Sequence, residues 1–151
     1  MSHVEIITAT SDTVGFIATH LREADHLELS ISREDIDPII TVLQSFEGSH
    51  WCNVALVDGV PAVVYGLYPA AADDAGTPWM VATDDIHKIS RQFIKGSKHA
   101  VNEMLKTYPF LYNLVHYQNQ ASIDWLTWLG FTIGDEFVGP KNQFYFFWMS
   151  E

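Results

Sequence analysis

The sequence predicts a single mixed α/β domain over residues 1–151, with a mostly antiparallel mixed sheet of six to seven strands and about four helices on its two faces. Consecutive strand-like segments are mixed with longer helix-like segments, which is typical of a mixed sheet covered by helices. The dipeptide Asp58-Gly59 is a strong signal for a hairpin between two of the strands. An apolar content of 48% and a charged content of 18% indicate a globular chain with a buried core.

The N-terminal half of the chain is predicted to contain one strand, two helices and a hairpin. In chain order these are a strand over 4–8, helices over 13–23 and 33–46, and strands over 51–57 and 62–68. Ser11 or Asp12 is placed to cap the first helix, because its side-chain oxygen can accept a free N–H group of the first turn. Residues 25–29 are predicted to form a joint between the helices. Pro38 is tolerated only near a helix start, so a separate first turn of the second helix is an open alternative.

The C-terminal half is predicted to continue with a loop, a strand, and then alternating helices and strands. The loop covers 69–78, and it is followed by a strand over 79–83, a helix from 86 to about 108, an apolar strand around 111–115, a helix after Asn119, and strands over about 132–138 and 143–149. Asn119 suits the N-cap of its helix, and Gly130 suits the left-handed residue that ends it. The three-residue spacing of Ile123, Leu126 and Leu129 gives this helix one buried face.

Charge and composition narrow the classes of function. A net charge of −11 does not fit a protein that binds nucleic acid, because phosphate contacts require clustered basic side chains. The basic residues between Lys88 and Lys106 form either a local anion site or a solvated helix face. No apolar run is long enough to span a bilayer, and the sequence opens without a basic, apolar leader. The single cysteine, Cys52, is expected to be a small buried core residue, and a cytoplasmic location is expected.

The segment from Leu111 to Phe131 reads strand, sharp turn, helix, glycine stop and strand. The spacing of Asn119, Ile123 and the pair Gly130-Phe131 resembles motif B, the final strand–helix–strand unit of the GNAT acyltransferases. The order of the predicted elements is also the GNAT order. The resemblance therefore implies the GNAT fold.

Beyond motif B, segments over nearly the whole chain are similar to the Gp13-type family of short-tailed bacteriophages, also labelled internal virion protein A. The matching segments are 21–28, 57–61, 66–69, 78–84, 108–113 and 119–131. This resemblance implies a role in virion morphogenesis or as an internal virion protein, with weak or lost catalysis. It also implies other phage virion or head-assembly proteins as partners, and a location in the host cytoplasm or in the virion.

The GNAT resemblance implies acetyl-CoA or coenzyme A as a cofactor. The residues expected to contact it are Met80, Val81, Ala82, Lys88, Ser90, Arg91, Gln92, Asn119 and Ser122. GNAT enzymes hold the pyrophosphate on backbone N–H groups at a glycine-rich helix start, but here Arg91 and Phe93 stand where small residues are expected. A second register at Gly96-Ser97 offers one glycine only. Lys88, Arg91 and Lys95 could instead hold the phosphates by charge.

Acyl transfer to an amine also needs a base that takes a proton from the amine. The candidates are Glu28, Asp84, Asp85 and His116. Each has a structural alternative. Asp84 or Asp85 would cap the third helix, Glu28 would pair with Arg22 or Arg33 on the surface, and His116 would be a structural strand residue.

The acid that protonates the leaving thiolate in GNAT enzymes is commonly a tyrosine seven residues after the motif B asparagine. In this chain that position is Leu126. Tyr117 and Tyr145 are possible substitutes on neighbouring strands. The catalytic candidates are therefore Glu28, His116 and Tyr117. No metal site is predicted, because the seven histidines lack the i,i+4 spacing that places two ligands on one helix face.

Three functions follow from these observations. The first is a non-catalytic or weakly catalytic phage protein of particle assembly. The second is an active acetyl-CoA-dependent N-acetyltransferase that acts on a small amine or a protein amino group. The third is an acidic inhibitor of a host enzyme, which the net charge permits.

Overall fold

One mixed sheet organises the part of the chain that the computed structural model describes, which is residues 2–151 apart from the side chains of Ser90, Gln92 and Ile94. The strands are β1 (Val4–Thr8), β2 (Trp51–Val57), β3 (Val60–Pro69), β4 (Ala75–Ala82), β5 (Phe110–His116), β6 (Thr132–Ile133) and β7 (Phe144–Ser150). The α-helices are α1 (Ser11–Ala18), α2 (Glu23–Ser32), α3 (Pro38–Gly48), α4 (Ser90–Thr107) and α5 (Gln120–Leu129). Short 3-10 helices cover Asp84–Lys88 and Pro140–Asn142.

The strand order is β1-β2-β3-β4-β5-β7-β6. Strands β4 and β5 pair in parallel, and the other neighbouring strands are antiparallel. Helices α1 and α3 cover one face, where Val14, Ile17 and Val42 pack against strand residues of β2 to β4. Helices α4 and α5 cover the other face, where Val101, Met104 and partly buried α5 residues pack on β5 and β7. The predicted mixed sheet with helices on both faces is confirmed.

The sheet divides at its only parallel pair among the described strands. Within that pair, the register joins Ala75 to Phe110 and Gly76 to Leu111, and no later residues of β4 and β5 are paired. The two strands therefore separate toward their C-terminal ends and leave a gap in the sheet. One core cluster spans this boundary, because Leu67 of β3 packs with Leu111 and Val115 of β5.

Local signals for turns and caps are confirmed where they were strongest. Asp58 and Gly59 have φ values of 50° and 83°, as the hairpin turn requires. The Asn119 side chain accepts the Ser122 N–H as the N-cap of α5, and Gly130 has a φ of 103° at its end. Cys52 is buried in the core as expected.

The predicted helix over 13–23 is too long, because the first helix ends at Ala18 and a separate helix begins at Glu23. Helix α2 includes the residues predicted to be a joint. A tertiary bond explains the break, since the Arg22 N–H donates to the carbonyl of Ala82 on β4 at 2.9 Å. The cap of α1 is Thr10 instead of Ser11 or Asp12, and it forms a capping box with Thr13.

Several other boundaries also differ from the prediction. Helix α3 starts at Pro38, with Asp37 as its cap, so the alternative of a separate first turn was the correct one. Strand β4 begins at Ala75, inside the predicted loop. The predicted strand over 132–138 shrinks to Thr132–Ile133, followed only by an isolated bridge at Val138. The helix predicted from 86 divides into the 3-10 helix and α4.

Candidate functional site

The candidate site is centred on the gap between β4 and β5. Asn113 spans the point where the two strands diverge. Its Nδ2 donates to the Pro78 carbonyl at 2.9 Å, and its Oδ1 accepts the Leu114 N–H at 2.8 Å. One amide side chain thus satisfies a backbone group on each strand, and it fixes the closed end of the gap.

The backbone of Met80 faces this gap. Residues two apart in a strand turn their N–H and C=O groups to the same side. The Pro78 carbonyl faces the gap because it binds Asn113, and the Ala82 N–H faces it because it donates to Asp25 Oδ2 at 2.8 Å. Met80 lies between them, so its N–H and C=O also point into the gap. Neither group has a hydrogen-bond partner among the residues that the structure describes.

Helix α2 crosses the open end of the gap and is bonded to both strands. Asp25 accepts the N–H of Ala82 at the end of β4. Glu28 Oε1 accepts the N–H of His116 at the end of β5, at 2.6 Å. The two carboxylates are three residues apart and lie on the same face of the helix. They replace the interstrand bonds that the diverging strands cannot make with each other.

Asp25 is held by a two-pronged ion pair. Arg22 Nε donates to Oδ2 at 2.7 Å, and Nη2 donates to Oδ1 at 3.1 Å. The Asp25 side chain is 2% exposed. Burial raises the pKa of this carboxyl above its ordinary value, and the Arg22 guanidinium offsets part of that effect. With all these bonds made within the protein, Asp25 is a structural group that fastens α2 to β4.

The Glu28 carboxylate has fewer close hydrogen bonds within the protein than that of Asp25, and it borders a groove. Its Oε1 accepts the His116 N–H, and its Oε2 lies 3.5 Å from Asn119 Nδ2. Burial raises the pKa of the Glu28 carboxyl above its ordinary value of 4.5; the His116 N–H lowers it in part, and the charge of Asp25 raises it further. A carboxylate whose pKa is raised can accept a proton near neutral pH, which is the requirement for a general base.

A groove of about 1210 Å³ passes over the gap and includes Glu28 in its lining. Helices α2 and α3 line it on one side of the sheet, and α4 and α5 line it on the other. Of the residues predicted to contact coenzyme A, those that line the groove are Met80, Val81 and Ser122. Those described outside the lining are Ala82, Lys88, Arg91 and Asn119. The predictions for the Ser90 and Gln92 side chains fall outside the described part of the structure.

Aromatic side chains join α4 to α5 within the groove. The Phe93 ring lies 5.4 Å from the Trp125 ring and 5.8 Å from the Tyr65 ring. Trp125 Nε1 donates to Ser97 Oγ at 3.2 Å. Phe93 therefore packs into the lining of the groove, at the position where GNAT enzymes are expected to have a small residue.

The start of α4 carries basic side chains but no side-chain cap. Ile89 is the N-cap residue and makes no capping hydrogen bond through its side chain. Arg91 is exposed, and Lys88 lies 3.4 Å from Asp85. The first N–H groups of any helix have no carbonyl partner within the helix, so this end is electropositive.

The ring of His116 is not placed as a free base. It is 1% exposed and does not line the groove. Nδ1 accepts the Gln118 N–H at 3.2 Å, which assigns the ring proton to Nε2, 2.9 Å from the Gln143 side-chain oxygen. Both ring nitrogens are thus engaged, and it is the backbone of His116 that meets Glu28.

The remaining catalytic candidates lie away from the groove. Tyr117 is exposed and makes an edge contact with the ring of Phe137, which also stacks on Tyr145. Neither tyrosine lines the groove, whereas Leu126 does. Asp84 and Asp85 begin the 3-10 helix, but its cap is Thr83, so the alternative that one of them caps a helix here is wrong. The alternative that Glu28 pairs with Arg22 is also wrong, since Arg22 binds Asp25.

Sequence reasoning missed Asn113 and Asp25, and it expected Met80 to contact coenzyme A without predicting that its backbone faces the gap. Asn113 interrupts an apolar strand, and a polar residue in such a run is a signal for a specific bond. Asp25 and Glu28 share an i,i+3 spacing that would have been informative had α2 been recognised as a helix. The orientation of Met80 depends on strand register, which a single sequence does not carry.

Among the described residues, no group of three or more His, Cys, Asp or Glu side chains is arranged to hold a metal ion. In that same part of the chain, no helix combines the length and apolar character needed to cross a membrane.

Three solved structures that are similar to this chain are described as acetyltransferases. One is YncA from Salmonella typhimurium, assigned as an acetyltransferase and solved with its cofactor acetyl-CoA; it has a TM-score of 0.71 and 16% identity over 97% of this chain and 93% of that chain. Another is the ribosomal-protein-alanine N-acetyltransferase from Brucella melitensis, with a TM-score of 0.71 and 17% identity over 97% of this chain and 99% of that one.

A third similar structure is the acetyltransferase of the GNAT family from Streptococcus pneumoniae, with a TM-score of 0.61 and 13% identity over 99% of this chain and all of that chain. No protein-family model matches the sequence, and no curated protein matches it significantly. At these identities the likeness concerns the fold alone. The chain has the fold of the GNAT acetyltransferases.

Proposed function

We propose that the protein transfers an acyl group from an acyl-CoA to an amine. The observation that carries this proposal is the Glu28 carboxylate at the mouth of the β4–β5 gap, next to a large groove and opposite the unpaired backbone of Met80. The likeness to acetyltransferase folds supports the proposal, and one of those structures contains acetyl-CoA.

The groups at the gap fit a coenzyme A derivative. The Met80 C=O can accept an amide N–H of a pantetheine arm, which leaves the Met80 N–H free to donate elsewhere. The residues that we propose to hold the coenzyme are Met80, Val81, Ala82, Lys88, Ser90, Arg91, Gln92, Asn119 and Ser122. At the start of α4, the phosphates would be held by charge and by helix N–H groups, since Arg91 and Phe93 replace the expected small residues.

When bound, acyl-CoA supplies a thioester carbonyl that an amine can attack. Glu28 takes a proton from the acceptor amine and so frees the nitrogen lone pair for the attack. The Met80 N–H is a fixed donor for the oxygen on which negative charge develops. The raised pKa of Glu28, caused mainly by burial, makes it a stronger base than an exposed glutamate.

The other two catalytic candidates take lesser roles in this proposal. His116 positions Glu28 through its backbone N–H, at 2.6 Å, while its ring nitrogen Nε2 bonds to the Gln143 side chain. Tyr117 lies outside the groove lining, so the thiolate would leave without help from that side chain.

The test is to measure acetyl-CoA binding by calorimetry and acetylation of a broad amine panel by thiol release. The expected result is micromolar binding and turnover by the wild-type chain. Glu28→Gln should lower kcat by about 10²–10⁴-fold because it removes the base, while coenzyme binding is retained. The matched control is Glu23→Gln, an exposed glutamate in the first turn of the same helix, which should leave both properties unchanged. Absence of binding at millimolar acetyl-CoA would refute the proposal.

A second candidate is a non-catalytic role in phage particle assembly or genome delivery. It is favoured by Phe93, which packs on Trp125 in the groove, and by the absence of a glycine-rich start on α4. In this case other phage virion or head-assembly proteins are partners, and the chain acts in the host cytoplasm or in the virion. Affinity purification of the tagged chain from infected cells should recover a phage structural protein. Recovery of host proteins only would count against this role.

A further inference from the structure

The groove has an arm between α2 and α3 that differs chemically from the rest of the protein. Five polar side chains line it: Ser32, Arg33, Thr41, Gln44 and Ser45. These side chains carry one guanidinium, three hydroxyls and one amide, and of these groups the Thr41 hydroxyl is buried. None of them is acidic, although the chain has 19 acidic residues against 8 lysines and arginines.

Arg33 is the distinctive residue of this arm. It is the only lysine or arginine among the described residues that line the groove. It is exposed, and its guanidinium forms no ion pair with any described side chain, whereas the next residue, Glu34, pairs with Lys141 at 2.8 Å. An unpaired guanidinium in an acidic protein is a preferred partner for a carboxylate, which it can bind through two parallel hydrogen bonds.

Arg33 and Glu28 belong to the same stretch of chain on the same side of the groove. Glu28 lies within α2, and Arg33 is its C-cap residue, five positions further along the chain. Both residues line the same groove, so one small molecule bound there can meet both side chains. Glu28 suits the amine end, and Arg33 suits an acidic end.

We propose that the acceptor is a free amino acid, whose carboxylate is bound by Arg33 while its amino group lies at Glu28. This inference rests on the proposed acyl transfer and adds the class of acceptor to it. The product is an N-acylated amino acid: the new bond joins the amine nitrogen to the acyl carbon, the carbon–sulfur bond breaks, and the proton leaves to Glu28.

The experiment compares each amino acid with the amine that lacks only its carboxylate. Suitable pairs are methionine with 3-(methylthio)propylamine, leucine with isopentylamine, phenylalanine with phenethylamine, and γ-aminobutyrate with propylamine. We expect at least one amino acid to exceed its partner amine by about tenfold or more in kcat/KM, since a charge-assisted pair is lost without the carboxylate. Equal kcat/KM values within every pair would overturn the inference but leave acyl transfer standing.

Arg33→Gln should reduce that preference to about threefold or less, mainly through KM for the amino acid, because the lost interaction is one of binding. The values for the partner amines should stay unchanged. Lys106→Gln removes an exposed charge outside the groove lining and should preserve the preference. An equal loss for amino acids and amines in Arg33→Gln would mean a structural role and would overturn the inference.

Direct binding separates this inference from the proposed reaction. Calorimetry with the preferred amino acid, in the presence of coenzyme A, should detect binding to the wild-type chain and weaker binding to Arg33→Gln. If binding is seen without turnover of any amine, the acyl transfer fails and the carboxylate site stands. If neither the amino acids nor their partner amines bind, the carboxylate site is refuted.

Discussion

The protonation state of Glu28 affects stability and the proposed activity in opposite directions, because the protonated carboxyl favours folding and the ionised carboxylate is the proposed base. Its carboxyl is buried beside the gap, and burial raises its pKa above 4.5. The folded protein therefore binds this proton more tightly than the unfolded chain does. The contribution of Glu28 to stability is fully present below about pH 4.5 and is lost as the pH rises through the folded-state pKa.

The corresponding variant is Glu28→Gln, which keeps an oxygen acceptor for the His116 N–H but cannot ionise. We expect its free energy of unfolding, relative to wild type, to rise as the pH increases from about 4.5 toward neutrality. Urea denaturation at a series of pH values measures this difference. Because Asp25 is unchanged in both proteins, its titration cancels to first order. A difference that is independent of pH would contradict the assignment.

Thr41 shows the cost of a polar atom that is buried without a partner. Its hydroxyl has no hydrogen bond within the described part of the chain. Thr41→Val removes the hydroxyl at nearly constant shape, so we expect a gain of about 1 kcal/mol in unfolding free energy. Thr13→Val is the opposed control, because it breaks the capping box of α1 and should cost about 1 kcal/mol. Chemical denaturation compares the two, and a loss of stability in Thr41→Val would show that the hydroxyl is satisfied in solution.

At the scale of elements, glycine substitutions separate a helix end from a helix interior. Gly130 ends α5 with a φ of 103°, where a side chain is strained. Gly15 lies inside α1, and a Cβ there would meet no atom within 4 Å. We expect Gly130→Ala to cost about 1 kcal/mol and Gly15→Ala to gain about 0.5–1 kcal/mol. Thermal unfolding should move the midpoint in opposite directions. The same sign for both would mean that packing around one of them outweighs the backbone effect.

Helix caps and turns that depend on neighbouring residues could be predicted from the sequence. Helix ends that depend on hydrogen bonds to distant parts of the chain could not. Asn119, Gly130 and the Asp58-Gly59 turn carry their own conformational preferences, and each was placed correctly. The break between α1 and α2 depends on the bond from Arg22 to Ala82, which are sixty residues apart. No local pattern reports such a bond, so the first helix was predicted to extend to residue 23 and the interior of α2 was predicted to be a joint.

The same division holds for the candidate site. Glu28 was recognised because it lies near the first helices, where GNAT acceptor sites are expected. Asn113 was not recognised, and Met80 was expected to contact coenzyme A without any prediction that its backbone faces the gap, because both features follow from which strands neighbour each other and in which register. Residue types could be predicted, but the gap that brings these groups together arises only when the sheet forms.

At the scale of the whole molecule, residues 1–151 are predicted to be one domain. The two halves of the sheet share few direct strand pairs, but they are joined by Asn113 and by the two carboxylates of α2. We expect a single cooperative unfolding transition, with equal calorimetric and van't Hoff enthalpies. Differential scanning calorimetry measures both. Two resolved transitions would mean that the halves beside β4 and β5 unfold separately.

The bonds that fasten α2 across the gap have a consequence for motion. Asp25 protects the amide of Ala82, and Glu28 protects the amide of His116, although each of these amides lies 57 or 88 residues from its acceptor. Undocking of one short helix would therefore expose both amides to solvent at the same moment. Their deuterium exchange should then share one opening free energy, well below that of global unfolding. Undocking of α2 would thus be the motion that opens the groove at the β4–β5 gap.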